Sequence, residues 1–166
     1  MPVFFCTDVR ELIGENASTL TLDTSLAMST SCPGAPVRIV VADDFPPFRE
    51  ALRKLFGEFA ALEVVGEAAD GNSAIEMTLH LVPEVIVMDV KMPHLGGIEA
   101  TKRIKQVLPA IHVVGFSSQD DTVTREAMTT AGCSAFITKE CAHALPDVIA
   151  NITGRPVAHV SFEGSV

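Results

Sequence analysis

The sequence predicts an α/β fold: a five-stranded parallel sheet of order 2-1-3-4-5, doubly wound by helices on both faces. Three observations predict it. From Val37 onward, short β-branched runs alternate five times with segments of helical periodicity, as βαβ units require. The runs are apolar nearly throughout, the pattern of strands covered on both faces. Right-handed crossovers then leave few topologies, and this strand order is the simplest of them.

Val37-Arg38-Ile39-Val40-Val41-Ala42 forms the first strand and stops at Asp43-Asp44. Phe48, Leu52, Leu55, Phe56 and Phe59 follow at helical spacing. Residues 63–68 read as strand and 74–82 as helix. Val85-Ile86-Val87-Met88 is a short strand ending at Asp89, and Ile98, Thr101, Ile104 and Leu108 mark one face of the next helix. A strand over 111–115, a helix over 121–131 and a strand Ala135-Phe136-Ile137-Thr138 come next. Leu145, Val148, Ile149 and Ile152 give a last, short helix, with Pro146 tolerable only in its first turn.

The chain's 166 residues suit one domain with modest extensions. Residues 1–36 differ from the rest: they hold nine Ser or Thr and finish in Cys32-Pro33-Gly34-Ala35-Pro36, a boundary signal. Val9 to Ile13 has the pattern of a short helical turn, and Thr19-Leu20-Thr21-Leu22 alternates like a strand. The expectation is a poorly ordered leader over 1–36 that contributes nothing to the chemistry, a folded unit over 37–154, and a tail over 155–166. Lys and Arg total 12 against 21 Asp and Glu, a net charge of −9. That balance disfavours nucleic acid, whose binding draws on clustered cations. No apolar run approaches the roughly 20 residues of a membrane-spanning helix. Cys6, Cys32, Cys133 and Cys141 show no metal-ligand spacing, and a reduced cytoplasmic protein is expected.

In sheets of this order, ligands bind beyond the carboxyl ends of the strands, near the switch point between strands 1 and 3. That edge collects Asp43-Asp44, Asp89, Ser117-Ser118 and Lys139. Carboxylates crowded together repel unless a hard cation sits among them, and Mg²⁺ favours such oxygen ligands alongside phosphate. Lys139 can neutralise an anion and Ser117 can donate a hydrogen bond. The set matches a site that stabilises a phosphoryl group in transit, with Asp89 as nucleophile and Asp43 and Asp44 on the metal side. Taken singly, each residue has a plainer role: strand-end aspartates form turns or caps, Ser117 can cap a helix, and Lys139 can be a solvated charge.

Four blocks carry a family resemblance: Val40-Val41-Ala42-Asp43-Asp44, then Val87-Met88-Asp89-Val90-Lys91-Met92-Pro93-His94-Leu95-Gly96-Gly97-Ile98-Glu99-Ala100, then Gly115-Phe116-Ser117-Ser118, then Ala135-Phe136-Ile137-Thr138-Lys139. From about Val37 to Gly154 the sequence resembles the receiver domain of bacterial two-component response regulators, with its flavodoxin-like, CheY-like fold. The resemblance implies Asp89 as phosphoacceptor, Asp44 as direct Mg²⁺ ligand and Asp43 as the neighbour holding metal-bound water. It implies that the Lys91 backbone carbonyl completes the metal shell. Ser117 becomes the switch hydroxyl and Lys139 the partner of the phosphoryl group. Phe136 becomes the aromatic switch that rotates inward as Ser117 moves; its plainer reading is core packing. The implied donor is a histidine kinase or histidine phosphotransfer protein. The implied output is a protein target met through helix 4, strand 5 and helix 5, or a homodimer formed on phosphorylation.

Glu140 follows Lys139 where many receivers have proline, as in receivers of the nitrate-regulator type, and this removes the expectation of a cis peptide. Such regulators usually carry a helix-turn-helix output domain, for which the residues after Gly154 are too few. A stand-alone receiver, not an enzyme in its own right, is therefore expected. A dehalogenase-type phosphatase would want a second Asp two residues after the nucleophile, where Lys91 stands. A flavin binder would want phosphate-cradling donors where Asp43-Asp44-Phe45-Pro46 stands. A receiver that signals without phosphate is opposed by the complete acidic set.

Overall fold

The computed structural model describes residues 4–5, 34–119 and 121–158. The strands are β1 (Phe4–Phe5), β2 (Val37–Ala42), β3 (Leu62–Ala68), β4 (Val85–Asp89), β5 (His112–Ser117) and β6 (Ala135–Thr138). The helices are α1 (Pro46–Gly57), α2 (Gly71–Leu81), α3 (Gly97–Val107), α4 (Thr122–Ala131) and α5 (Leu145–Thr153), with a 3₁₀ segment, Lys139–Ala144, leading into α5. All strand pairs are parallel, in the order β1-β6-β5-β4-β2-β3. Counted from Val37, that is the predicted 2-1-3-4-5 sheet.

Side-chain alternation divides the core in two. Val37, Ile39 and Val41 of β2 face α1 and α5, packing with Leu52, Phe56, Leu145 and Ile149. Val40 and Ala42 of the same strand face α2, α3 and α4, packing with Ala74, Ile104 and Met128. β2 and β4 are buried almost throughout because helices cover both faces, and this explains their lack of polar alternation.

The helix starts are set locally. Pro46 and Pro47 open α1, where a missing N–H costs nothing. Asp70 accepts from Asn72 N and Ser73 N at 2.9 and 3.0 Å, so α2 begins three residues before the apolar periodicity does. Asp121 caps α4 through Thr124 N at 2.8 Å. The last helix is short, as expected, with Pro146 in its first turn.

Two features differ from the expectation. Phe4–Phe5, assigned to an inert leader, adds a sixth strand beside β6, with Phe4 opposite Ala135 and Phe5 opposite Phe136. The expected turn at Val9–Ile13 and strand at Thr19–Leu22 lie outside the described residues. At the other end, Arg155 pairs with the Glu84 carboxylate at 3.0 and 3.1 Å, and Val157 packs on the first core cluster. The first residues of the expected tail are thus docked. No peptide bond among the described residues is cis.

Gly97 opens α3 where a Cβ would overlap the Asp89 carbonyl oxygen, so the loop after β4 can fold back tightly. Gly97 N donates to Val90 O at 3.0 Å, and Val90 N donates to Phe116 O at 3.1 Å. Gly97→Ala is expected to force the loop apart and lower stability by about 2–4 kcal/mol. Urea unfolding followed by circular dichroism checks this, and an unchanged midpoint contradicts it.

Candidate functional site

The carboxyl ends of four strands meet around one cleft. β2 runs out into Asp43 and Asp44, β4 ends on Asp89, β5 ends on Ser117, and Lys139 follows β6. The cleft has a volume of about 380 Å³ and is lined by Asp44, Phe45, Phe48, Asp89, Lys91, Ser117, Ser118 and Lys139. Asp43 lies buried beside it. Each of Asp43, Asp44 and Asp89 offers an oxygen within 4.8 Å of the others, and among the described residues this is the one group of its kind. Adjacent strands explain the grouping: β2 and β4 are hydrogen-bonded neighbours, with Ala42 opposite Met88. The next residues along each strand, Asp43 and Asp89, must therefore come side by side.

Asp43 is held from several directions. Its Oδ1 accepts from Phe45 N at 2.9 Å, and its backbone carbonyl accepts from Arg49 Nη1 at 2.7 Å. Arg49 Nε in turn pairs with Glu67 at 3.2 Å, tying α1 to β3. Asp43 Oδ2 has one partner, the Lys139 ammonium at 2.6 Å, as an ion pair without good hydrogen-bond direction. Lys139 Nζ also lies 3.2 Å from Asp89 Oδ2, so one cation is shared by two acids. Lys91 N approaches Asp89 Oδ1 at 3.5 Å, the limit of a hydrogen bond. Lys91 Nζ donates to Gln119 Oε1, linking the loops that follow β4 and β5.

The electrostatics follow from burial. Asp89 is 4% exposed. Burial, opposed by Lys139 and reinforced by Asp43, holds its carboxyl above the usual aspartate range. For Lys139, burial works toward deprotonation, but the close contact with Asp43 and the charges of Asp89 and Asp43 outweigh it and leave its pKa above the ordinary lysine value. An all-oxygen donor set with uncompensated negative charge suits a hard divalent cation better than a thiophilic one.

Ser117 is buried, and its Oγ accepts from Gln119 N at 3.1 Å. It ends β5 and does not cap α4, which Asp121 does. Phe136 stands apart from the cleft, buried in the second core cluster under the Arg125 guanidinium, 5.2 Å from its ring centroid. A Cβ on Gly115 would fall 2.9 Å from the Phe136 ring and from Met128, so the neighbouring strand makes room for that ring.

The family model for response regulator receiver domains matches residues 39–150. The chain belongs to that family. Among curated relatives, protein-glutamate methylesterase/protein-glutamine glutaminase 4 of Myxococcus xanthus is 39% identical over 113 residues, covering 68% of this chain and 32% of that protein. Response regulator GacA of Pseudomonas viridiflava is 32% identical over 103 residues, covering 62% of this chain and 48% of that one. This chain thus spans about a third to a half of these relatives, and the matched part is the receiver domain. Solved structures agree. A LuxR-family response regulator from Aurantimonas is 31% identical with a TM-score of 0.67, covering 76% of this chain and 91% of that chain. The response regulator domain of Thermotoga maritima CheB is 30% identical with a TM-score of 0.64, covering 72% and 95%. No helix among the described residues of this receiver is long and apolar enough to cross a membrane.

Strand-end reasoning collected Asp43, Asp44, Asp89, Ser117, Ser118 and Lys139 at one edge, and the resemblance added Lys91; in the structure all of them lie in or beside the one cleft. Sequence reasoning took Phe48 only as a residue of the α1 core face, yet Phe48 lines the cleft. Nothing local in the sequence set it apart from the other apolar residues of that helix.

Burial stabilises the neutral form of Asp89, so the folded receiver loses stability as pH rises through that shifted pKa. Asp89→Asn carries no such charge. Its melting temperature is expected to exceed that of the unsubstituted protein by a few degrees at pH 7, with the gap closing below about pH 4. Thermal denaturation across that range, without added metal, checks this, and a lower melting temperature for the variant at pH 7 contradicts it.

Proposed function

We propose that this receiver accepts a phosphoryl group on Asp89 from a phosphohistidine, aided by Mg²⁺, and converts the gain into an altered protein-binding surface. The observation that carries the reading is the sharing of one ammonium between Asp43 and Asp89, with Asp44 beside them. A phosphoryl group placed on Asp89 would meet Lys139 at once, in a cleft already shaped for charge neutralisation.

The side chains divide the work. An Asp89 carboxylate oxygen attacks phosphorus in line; the P–N bond of the donor breaks, and the departing imidazole nitrogen takes a proton from solvent. Asp43, Asp44, Asp89 and the Lys91 backbone carbonyl would hold Mg²⁺, which when bound offsets charge on the phosphoryl oxygens. Lys139 pairs with one phosphoryl oxygen. Ser117 Oγ, accepting from Gln119 N, keeps its own proton to donate to another.

The new charge and its three acceptor oxygens bias an equilibrium between two arrangements of the loops after β4 and β5. Those loops are already linked by Lys91 and Gln119. Phe136, buried beside Gly115, is the aromatic member of the switch, and the output surface is α4, β6 and α5. Residues 37–154 form the working unit, and the donor is a histidine kinase or histidine phosphotransfer protein of the cytoplasm. Contact with a protein target or a second copy fits the net charge of −9 better than contact with DNA.

Incubation with a small phosphodonor and Mg²⁺ is expected to add one phosphoryl group, read as intact mass. Asp89→Asn and EDTA should each abolish the gain, and a gain that survives Asp89→Asn removes the assignment. Lys139→Ala should retain Mg²⁺ affinity by calorimetry while its phosphorylation slows at least about 10-fold. An unchanged rate would remove Lys139 from the site chemistry.

A further inference from the structure

Lys139 is bounded by acids on one side and by aromatic rings on the other. Its Nζ lies 4.7 Å from the ring centroid of Phe48 and 5.7 Å from that of Phe116. The two rings meet edge to face, with centroids 5.9 Å apart and planes at 76°. They come from different elements: Phe48 from the first turn of α1, and Phe116 from β5, directly opposite Asp89 in the strand register. The Lys139 side chain is 10% exposed, so the cation–π contacts act where water screens them little.

The acids cannot hold this ammonium through a reaction cycle. A flexible four-carbon stem sets no direction for a compact cation. Any cation or phosphoryl group that engages Asp43 and Asp89 also competes for the oxygens that now hold Lys139. A ring face is neither titrated nor consumed, so its attraction persists whatever the acids bind. Phe116 lies flush in the sheet core, whereas Phe48 is half-buried and lines the cleft itself.

We infer that Phe48 is a positioning residue: it clamps Lys139 against Phe116 so that the ammonium stays aimed at Asp89 as the phosphoryl group arrives. The inference rests on Asp89 being the acceptor. Phe48 also packs against the first core cluster, so its test must separate positioning from stability.

Three full-length variants do this: Phe48→Leu keeps apolar bulk without a ring, Phe48→Tyr keeps the ring, and Phe48→Leu is repeated in a Lys139→Ala background. The first readout needs neither metal nor donor. With carbon-13 lysine, the Lys139 ε-methylene protons, identified by their loss in Lys139→Arg, should resonate upfield through the ring currents. The shift should collapse in Phe48→Leu and persist in Phe48→Tyr. The second readout is phosphorylation by phosphoramidate at saturating Mg²⁺. It should slow about 5-fold or more in Phe48→Leu and recover in Phe48→Tyr, with Mg²⁺ affinity unchanged. In the Lys139→Ala background the leucine should cost nothing further. An unshifted Lys139 signal in the unsubstituted protein overturns the clamp, as does an equal slowing by leucine when Lys139 is absent. A phosphoryl gain that survives Asp89→Asn would instead remove the acceptor assignment, and the resonance measurement would still judge the clamp.

Discussion

Mutual repulsion among Asp43, Asp44 and Asp89 is the constraint around which this receiver is organised. Their oxygens lie within 4.8 Å of one another, and Asp43 and Asp89 are almost sealed from solvent. Water reaches Asp44 but screens the two buried acids little. The fold answers with fixed positive features. Arg49 draws on the Asp43 carbonyl, the Phe45 amide binds one Asp43 oxygen, and Lys139 takes the other together with Asp89. What remains uncompensated is concentrated where a hard cation and a phosphoryl group would be welcome.

Backbone packing keeps that arrangement from relaxing. The acids cannot swing apart, because they leave neighbouring parallel strands buried on both faces. The loop beyond Asp89 is pinned by hydrogen bonds to Val90, and Gly97 gives it the closeness it needs. Cores of near-crystalline density resist gradual deformation. A charge added at the rim therefore meets a surrounding that yields little by gradual deformation.

The five-stranded sheet was legible because strands buried on both faces must be written in β-branched residues, as in Val37–Ala42 and Val85–Met88. The edge was legible because polar residues interrupt those runs at the same end each time. Element limits were less so. α2 starts at Gly71 because Asp70 caps it, a local polar signal that hydrophobic periodicity does not register. β5 runs on to Ser117 because its pairing with β6 continues, which depends on a strand some twenty residues away. Phe48 looked like one more apolar helix residue, since nothing local reveals that Lys139 will come to rest over its ring. Phe4–Phe5 lay in a short apolar run, Met1 to Cys6, with no periodic context, and only the flank of β6 gives it a place.

That short pairing has a consequence for the molecule's neighbours. The outer flank of β6 would otherwise present unpaired amides and carbonyls to any extended chain that drifted past, the usual seed of strand-to-strand aggregation. Phe4 and Phe5 lie along it and pair with Ala135 and Phe136, so at those two positions the outer flank of β6 already has a partner. A segment distant in sequence thereby covers part of the strand that carries Phe136.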